Sequence, residues 1–211
     1  MSISSPVTIN HITNTVKQWY TLSLSMDTRS SLLWLNLGLH LPTTGTADVN
    51  DTVYTKQECF MKSLKIDSNC APAWFNLGLC LPTDGTVTIN GKTFTVKQCY
   101  LKAIEIDGRN PLSWLNLGNW LVGSTTALVK DNIFGKYDCY LRSLEINPAC
   151  APAWLNLGLC LPADGTVTVN SSTYTRKQCY LKAIEIDPRS SSAWLALAQC
   201  LPKNGTVFIF N

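Results

Sequence analysis

The stretch APAWFNLGLCLPTDGTVTINGKTFTVKQCYLKAIEIDGRN, residues 71–110, holds one whole copy of a unit that recurs along the chain. Its first part, Pro72 to Leu81, reads as a short helix. Trp74, Leu77 and Leu81 fall at helical spacing, and Pro72 sits in the first turn, where its missing N–H costs nothing. Pro82 stops the helix by pushing the residue before it out of the α region. The middle, Gly85 to Thr95, reads as a β-hairpin, because two β-branched and aromatic runs flank Asn90-Gly91. The last part, Val96 to Ile106, reads as a second helix. Thr95 and Gln98 form a capping box before it, and Tyr100, Ala103, Ile104 and Ile106 supply its apolar stripe. The unit is helix, hairpin, helix.

Outward from this copy the same text recurs every 40 residues, marked by Trp34, Trp74, Trp114, Trp154 and Trp194. A fixed period in this range is the signature of a repeat array, in which each copy stacks on its neighbours to bury its apolar face. The expected division is a single repeat domain over 1–211, with full copies at 31–70, 71–110, 111–150 and 151–190. Residues 1–30 then hold a hairpin and a second helix, and 191–211 a first helix and half a hairpin. The tryptophans are expected to pack between helices and to set the pitch. Pro42, Pro162 and Pro202 repeat the helix stop, and Thr15/Gln18, Thr55/Glu58 and Thr175/Gln178 repeat the capping box. The turn pair becomes Asn10-His11, Asn50-Asp51 and Asn170-Ser171. The third copy carries Lys130-Asp131 there, and its hairpin is expected to be distorted.

Composition narrows the function. The 211 residues are 45% hydrophobic and 15% charged with net charge +3, which excludes general disorder. No Lys/Arg run suggests nucleic acid as a partner. The opening Met1 to Pro6 lacks the charged and apolar regions of a signal peptide. The longest apolar stretches, such as Leu32 to Leu41, are too short to span a bilayer, so the expectation is a cytoplasmic chain without membrane contact. No acid pair, nucleophile elbow, phosphate loop or metal cluster appears, so no enzyme activity, cofactor or metal is expected. The nine cysteines fall into phases of the repeat. Cys59, Cys99, Cys139 and Cys179 share the place of Trp19, and Cys80, Cys160 and Cys200 share that of His40 and Trp120. A third phase holds Cys70 and Cys150. A cysteine exchanged for tryptophan behaves as an apolar filler, so reduced, packed thiols are expected. Disulfides Cys80–Cys99 and Cys160–Cys179 are the alternative, since each pair could face across a helical hairpin.

The unit resembles the tetratricopeptide repeat. The family's W-x2-L-G-x2-Y…A-x3-F…P pattern is met by Trp74, Leu77, Gly78, Leu81, Tyr100 and Ala103. Endings such as Ile146-Asn147-Pro148 and Ile186-Asp187-Pro188 complete it. That family's unit has 34 residues, and the six extra fall where the hairpin is read. Sel1-like repeats are the second resemblance, less close at the I-D-P ending. The resemblance implies a mainly α fold, an α-solenoid of helical hairpins with a short β-hairpin between the two helices of each repeat. It also implies a non-catalytic scaffold that binds an extended peptide or a helix on its concave face.

Asn36, Asn76, Asn116 and Asn156 each lie in an Asn-Leu-Gly triplet, with Ala196 breaking the series. They are similar to the asparagine ladder of the O-GlcNAc transferase repeat array. A primary amide can donate and accept, and so pair with a peptide backbone without reading its sequence. The alternative is hydrogen bonding within the array. Asn119, His40 and Trp120 are added as candidate contacts. The carboxylate-clamp mode needs basic residues on the first helix, whereas Leu35, Phe75, Leu115 and Leu155 stand there. A second function stands beside the first: Val207, Phe208, Ile209 and Phe210 read as an apolar strand able to pair, which points to head-to-tail self-association into a homo-oligomer.

Overall fold

The computed structural model describes residues 7–9 and 12–201, with side chains from residue 15 onward. It divides into two compact units, Met1–Asp107 and Gly108–Asn211. In the first unit β1 (Val7–Ile9), β2 (Ile12–Asn14) and α1 (Val16–Met26) precede α2 (Ser31–His40). Then come β3 (Thr46–Val49), β4 (Thr52–Thr55), α3 (Lys56–Ile66), α4 (Ala71–Cys80), β5 (Thr86–Ile89), β6 (Lys92–Thr95) and α5 (Val96–Ile106). The second unit runs α6 (Pro111–Trp120), β7 (Ala127–Val129), β8 (Asn132–Phe134), α7 (Lys136–Ile146) and α8 (Ala151–Cys160). It continues with β9 (Thr166–Val169), β10 (Ser172–Thr175), α9 (Arg176–Ile186) and α10 (Ser191–Cys200). Helix, antiparallel hairpin, helix is thus the observed unit. The turn Asn10-His11 and residues Val207 to Phe210 lie outside the described residues, and so does the self-association call made on them.

Each joint has a local cause. First helices start on a side-chain cap where one is available: Ser30 Oγ accepts from the Leu33 N–H at 3.3 Å, and Asn110 Oδ1 from the Leu112 N–H at 3.0 Å. Cys70 and Cys150 supply no side-chain cap, but proline follows in the first turn of those helices. Second helices start on capping boxes. The Thr55 N–H and Oγ1 both donate to Glu58 Oε2 at 2.8 Å, while the Glu58 N–H donates back to Thr55 Oγ1 at 3.2 Å. In the third copy Gly135 takes the cap position and has no oxygen to offer. Only the reverse half survives, its N–H donating to Asp138 Oδ2 at 2.8 Å.

The hairpin turns put both central residues at positive φ, the signature of a type I′ turn: Asn50 at 52° and Asp51 at 61°, Asn90 at 48° and Gly91 at 77°, Asn170 at 47° and Ser171 at 68°. The expected distortion of the third hairpin does not occur. Lys130 and Asp131 adopt the same turn at 46° and 66°, and Ala127↔Phe134, Leu128↔Ile133 and Val129↔Asn132 pair in register. Only the outermost strand pair is lost. Inward packing of Ala127, Val129 and Phe134 overrides the poor turn residues, at a cost. A double change of Lys130-Asp131 to Asn-Gly, which relieves left-handed strain of about 1–2 kcal/mol per residue, is expected to stabilise the chain by about 1 kcal/mol. Urea denaturation checks this, as a raised midpoint with an unchanged slope.

Packing inside a repeat turns on two contacts. Four of the tryptophans lie against the aromatic residue of the second strand, Trp34 on Tyr54 at 4.7 Å between centroids, Trp74 on Phe94 at 4.6 Å, Trp114 on Phe134 at 4.8 Å and Trp154 on Tyr174 at 4.8 Å. Each indole N–H donates to a carbonyl six residues back in the turn before the helix, Trp74 to Ser68 at 2.8 Å and Trp154 to Pro148 at 2.7 Å. One side chain therefore ties turn, first helix and hairpin together. Trp34, Trp74, Trp114 and Trp154 are buried as expected, but Trp194 is exposed. The second contact is the glycine of the triplet, where the first helix meets the aromatic ring of the second helix. Ideal Cβ atoms on Gly38, Gly78, Gly118 and Gly158 would lie 2.6–2.7 Å from Phe60, Tyr100, Tyr140 and Tyr180.

Candidate functional site

On each first helix the inward residues, such as Trp74, Leu77 and Gly78, occupy one side, and the opposite side is left to solvent. Helical spacing puts four residues on that outer stripe. They are Leu32, Asn36, Leu39 and His40 on α2, then Pro72, Asn76, Leu79 and Cys80 on α4. In the second unit they are Leu112, Asn116, Asn119 and Trp120 on α6, then Pro152, Asn156, Leu159 and Cys160 on α8. Asn36, Asn76, Asn116 and Asn156 are half-buried and Asn119 is exposed. Beside them Leu39, Leu79 and Leu159 are 43%, 52% and 54% exposed, a large apolar fraction for a solvated helix side.

The asparagines do not stand unbonded. Asn76 Nδ2 donates to the Pro72 carbonyl at 2.8 Å and Asn116 Nδ2 to the Leu112 carbonyl at 2.9 Å, one turn back on their own helices. Asn156 Nδ2 donates to Asn119 Oδ1 at 3.0 Å, and the same oxygen accepts from the Tyr140 hydroxyl at 2.9 Å. In the second unit, therefore, Asn119 links two candidate residues to the helix behind them. His40 packs its ring on Tyr20 at 5.1 Å, and its Nδ1 lies 2.8 Å from the Asn36 carbonyl. In Asn76, Asn116 and Asn156 the amide nitrogen serves the array, and the carbonyl oxygen of Asn76 or Asn116 is the group left for a partner.

Within the first unit Asn76 lines an open cleft of about 480 Å³, with Thr43, Thr55, Lys56, Gln57 and Leu79. The floor is built by the preceding repeat. Lys56 opens α3 and donates from Nζ to the Leu41 carbonyl at 2.7 Å, which holds the end of α2 against the start of the second helix. Two elements of this surface were missed from the sequence, the exposed leucines and the start of the second helix. The first was legible, since a residue three places after each asparagine shares its side of the helix. The second was not, because it depends on how one repeat seats on the next.

None of the nine cysteines is in a disulfide. Cys59, Cys99, Cys139 and Cys179 are fully buried on the second helices, as expected of fillers. Burial pushes the Cys59 and Cys99 thiols up to about 12 and that of Cys179 to about 11, so they stay protonated and unreactive at neutral pH. The expectation of uniformly packed thiols fails at Cys160, which is exposed on the outer stripe. Cys80 is half-buried there; burial raises its thiol and nearby Lys56 partly offsets the rise. Among the described residues no helix is long and apolar enough to cross a membrane.

Residues 179–207 match a family model described as Tetratricopeptide repeat. Among solved structures the chain is similar to that titled "Crystal structure of MamA", at 15% identity, with 87% of this chain and 84% of that chain covered and a TM-score of 0.43. No curated protein matches it.

Proposed function

We infer, from an array of the tetratricopeptide type, that the chain is a non-catalytic scaffold whose first-helix stripe binds an extended peptide. The observation that carries this reading is the cleft at Asn76, which sets an amide oxygen among Leu79, Lys56 and Gln57. A peptide laid along it would donate a backbone N–H to the asparagine oxygen and bury apolar side chains on the exposed leucines. Affinity then comes from main-chain bonding and leucine burial, and sequence preference from the residues that vary between copies. Each leucine covered contributes up to about 1.5 kcal/mol by burial.

Peptide-library panning against the full chain tests this, with binders measured on wild type, on Asn36/Asn76/Asn116/Asn156→Ala and on Leu39/Leu79/Leu159→Ser. Selected peptides are expected to lose about tenfold or more in affinity with either variant, as 1.4 kcal/mol is tenfold. The leucines are exposed and the asparagines half-buried with bonds to their own or a neighbouring helix, so circular dichroism should show both variants folded. Peptides that bind both variants as well as wild type would place recognition elsewhere.

A further inference from the structure

A second kind of cavity lies behind Trp34 and again behind Trp74, between the hairpin and the second helix. In the first copy it has a volume of about 360 Å³ and is walled by Trp34, Tyr54, Lys62, Lys65, Asn50 and Thr28. Its counterpart in the next copy, about 340 Å³, is walled by Trp74, Phe94, Lys102 and Asn90 among others. Both are large enough for a small ligand. They differ in charge. From the second copy on, the basic residue at this place is neutralised one turn ahead: Lys102 pairs with Glu105 at 2.7 Å, Arg142 with Glu145 at 2.7 Å and Lys182 with Glu185 at 2.8 Å.

In the first copy the acid is replaced by Lys65, so no such pair forms. The Lys62 ammonium lies instead over the aromatic wall, 5.2 Å from the Tyr54 centroid and 5.9 Å from that of Trp34. The acid nearest in sequence on the same helix, Glu58, is bonded to Thr55 in the capping box at the helix start; those bonds, and then the Lys62 charge, lower its pKa, but Glu58 and Lys62 form no ion pair. Two cations thus share one cavity with an aromatic face, an amide and a hydroxyl.

We propose that the cavity of the first copy binds a phosphate monoester carried on a flat apolar group, with Lys62 and Lys65 on the phosphate and the group against Tyr54 and Trp34. Two lysines match the charge of a phosphate monoester at neutral pH, near −2, better than the single charge of a carboxylate. The same site would accept a free aromatic phosphate or a phosphotyrosine side chain of a partner. The repeat itself supplies the control variants. Lys65→Glu restores the residue of the other copies and neutralises Lys62, and Glu105→Lys frees Lys102 in the second cavity.

The test is a titration of the full isotope-labelled chain, followed at the indole N–H signals of Trp34 and Trp74. Phenyl phosphate is expected to move the Trp34 signal saturably, and phenol or inorganic phosphate to do so at least about tenfold more weakly. Lys65→Glu should weaken phenyl phosphate by about tenfold or more, and Glu105→Lys should make the Trp74 signal respond. A phosphotyrosine peptide that binds more tightly than phenyl phosphate assigns the source to a protein, and equal affinity assigns it to a free ester. No saturable shift at Trp34, an undiminished response in Lys65→Glu, or equal binding of inorganic phosphate would overturn the proposal.

Discussion

Trp74→Ala is expected to destabilise the protein by about 4 kcal/mol, in the middle of the range for removing a large buried aromatic side chain. Three losses add at this site. The indole is 2% exposed, so its removal leaves a cavity between α4 and the hairpin. Its ring contact with Phe94 at 4.6 Å is lost. The Ser68 carbonyl loses its donor at 2.8 Å and with it the pin on the turn between repeats. Trp194→Ala is the internal comparison. That indole also donates to a carbonyl, of Pro188 at 2.9 Å, but it is 41% exposed, so only about 1–2 kcal/mol should be lost. Chemical denaturation of the two variants checks the difference. Equal losses would mean that the hydrogen bond, and not burial, sets the tryptophan's contribution.

Gly78→Ala, at the other contact within the repeat, tests the sign of two opposed effects. Alanine favours the helix by about 1 kcal/mol over glycine. Yet its Cβ would stand 2.7 Å from Tyr100 Cε1, a distance no packed pair adopts, and Tyr100 is buried with little room to swing. Overpacking of this kind costs about 1–3 kcal/mol. A net loss of about 1 kcal/mol is expected, seen as a fall in Tm of about 2–4 °C for a chain of this size. Truncating the ring partner should recover part of it, so Gly78→Ala/Tyr100→Leu should be less destabilised than the sum of the single changes. A thermal melt showing Gly78→Ala as stable as wild type would mean that the helices slide apart cheaply.

The same physics explains a pairing visible once the turns are built. Gly45, Gly85 and Gly165 sit where a Cβ would strike the ring of Pro42, Pro82 and Pro162, at 2.5–2.7 Å. In the third copy the proline is Val122, the glycine is Thr125, and the turn keeps its Thr125 N–H to Val122 carbonyl bond at 3.2 Å. The proline ring is the nearest obstacle to that Cβ in three copies, and in the third copy proline and glycine are replaced together.

The period and the spacing of Trp74, Leu77 and Gly78 determined the repeat, the order helix, hairpin, helix, and the capping boxes. These are local: they depend on residues within a turn or two, and the chain repeats them with little change. The third hairpin shows where local reading ends, since Lys130-Asp131 is a poor I′ pair held in place by burial of Ala127 and Val129. The candidate site divides in the same way. That the asparagines share one side of a helix follows from spacing alone. That Asn76 and Asn116 return their amide nitrogens to their own helices, that Asn156 bonds Asn119, and that Lys56 closes a cleft around Asn76 were decided only by tertiary structure. A side-chain amide has several partners within reach, and which one it takes depends on how neighbouring repeats seat.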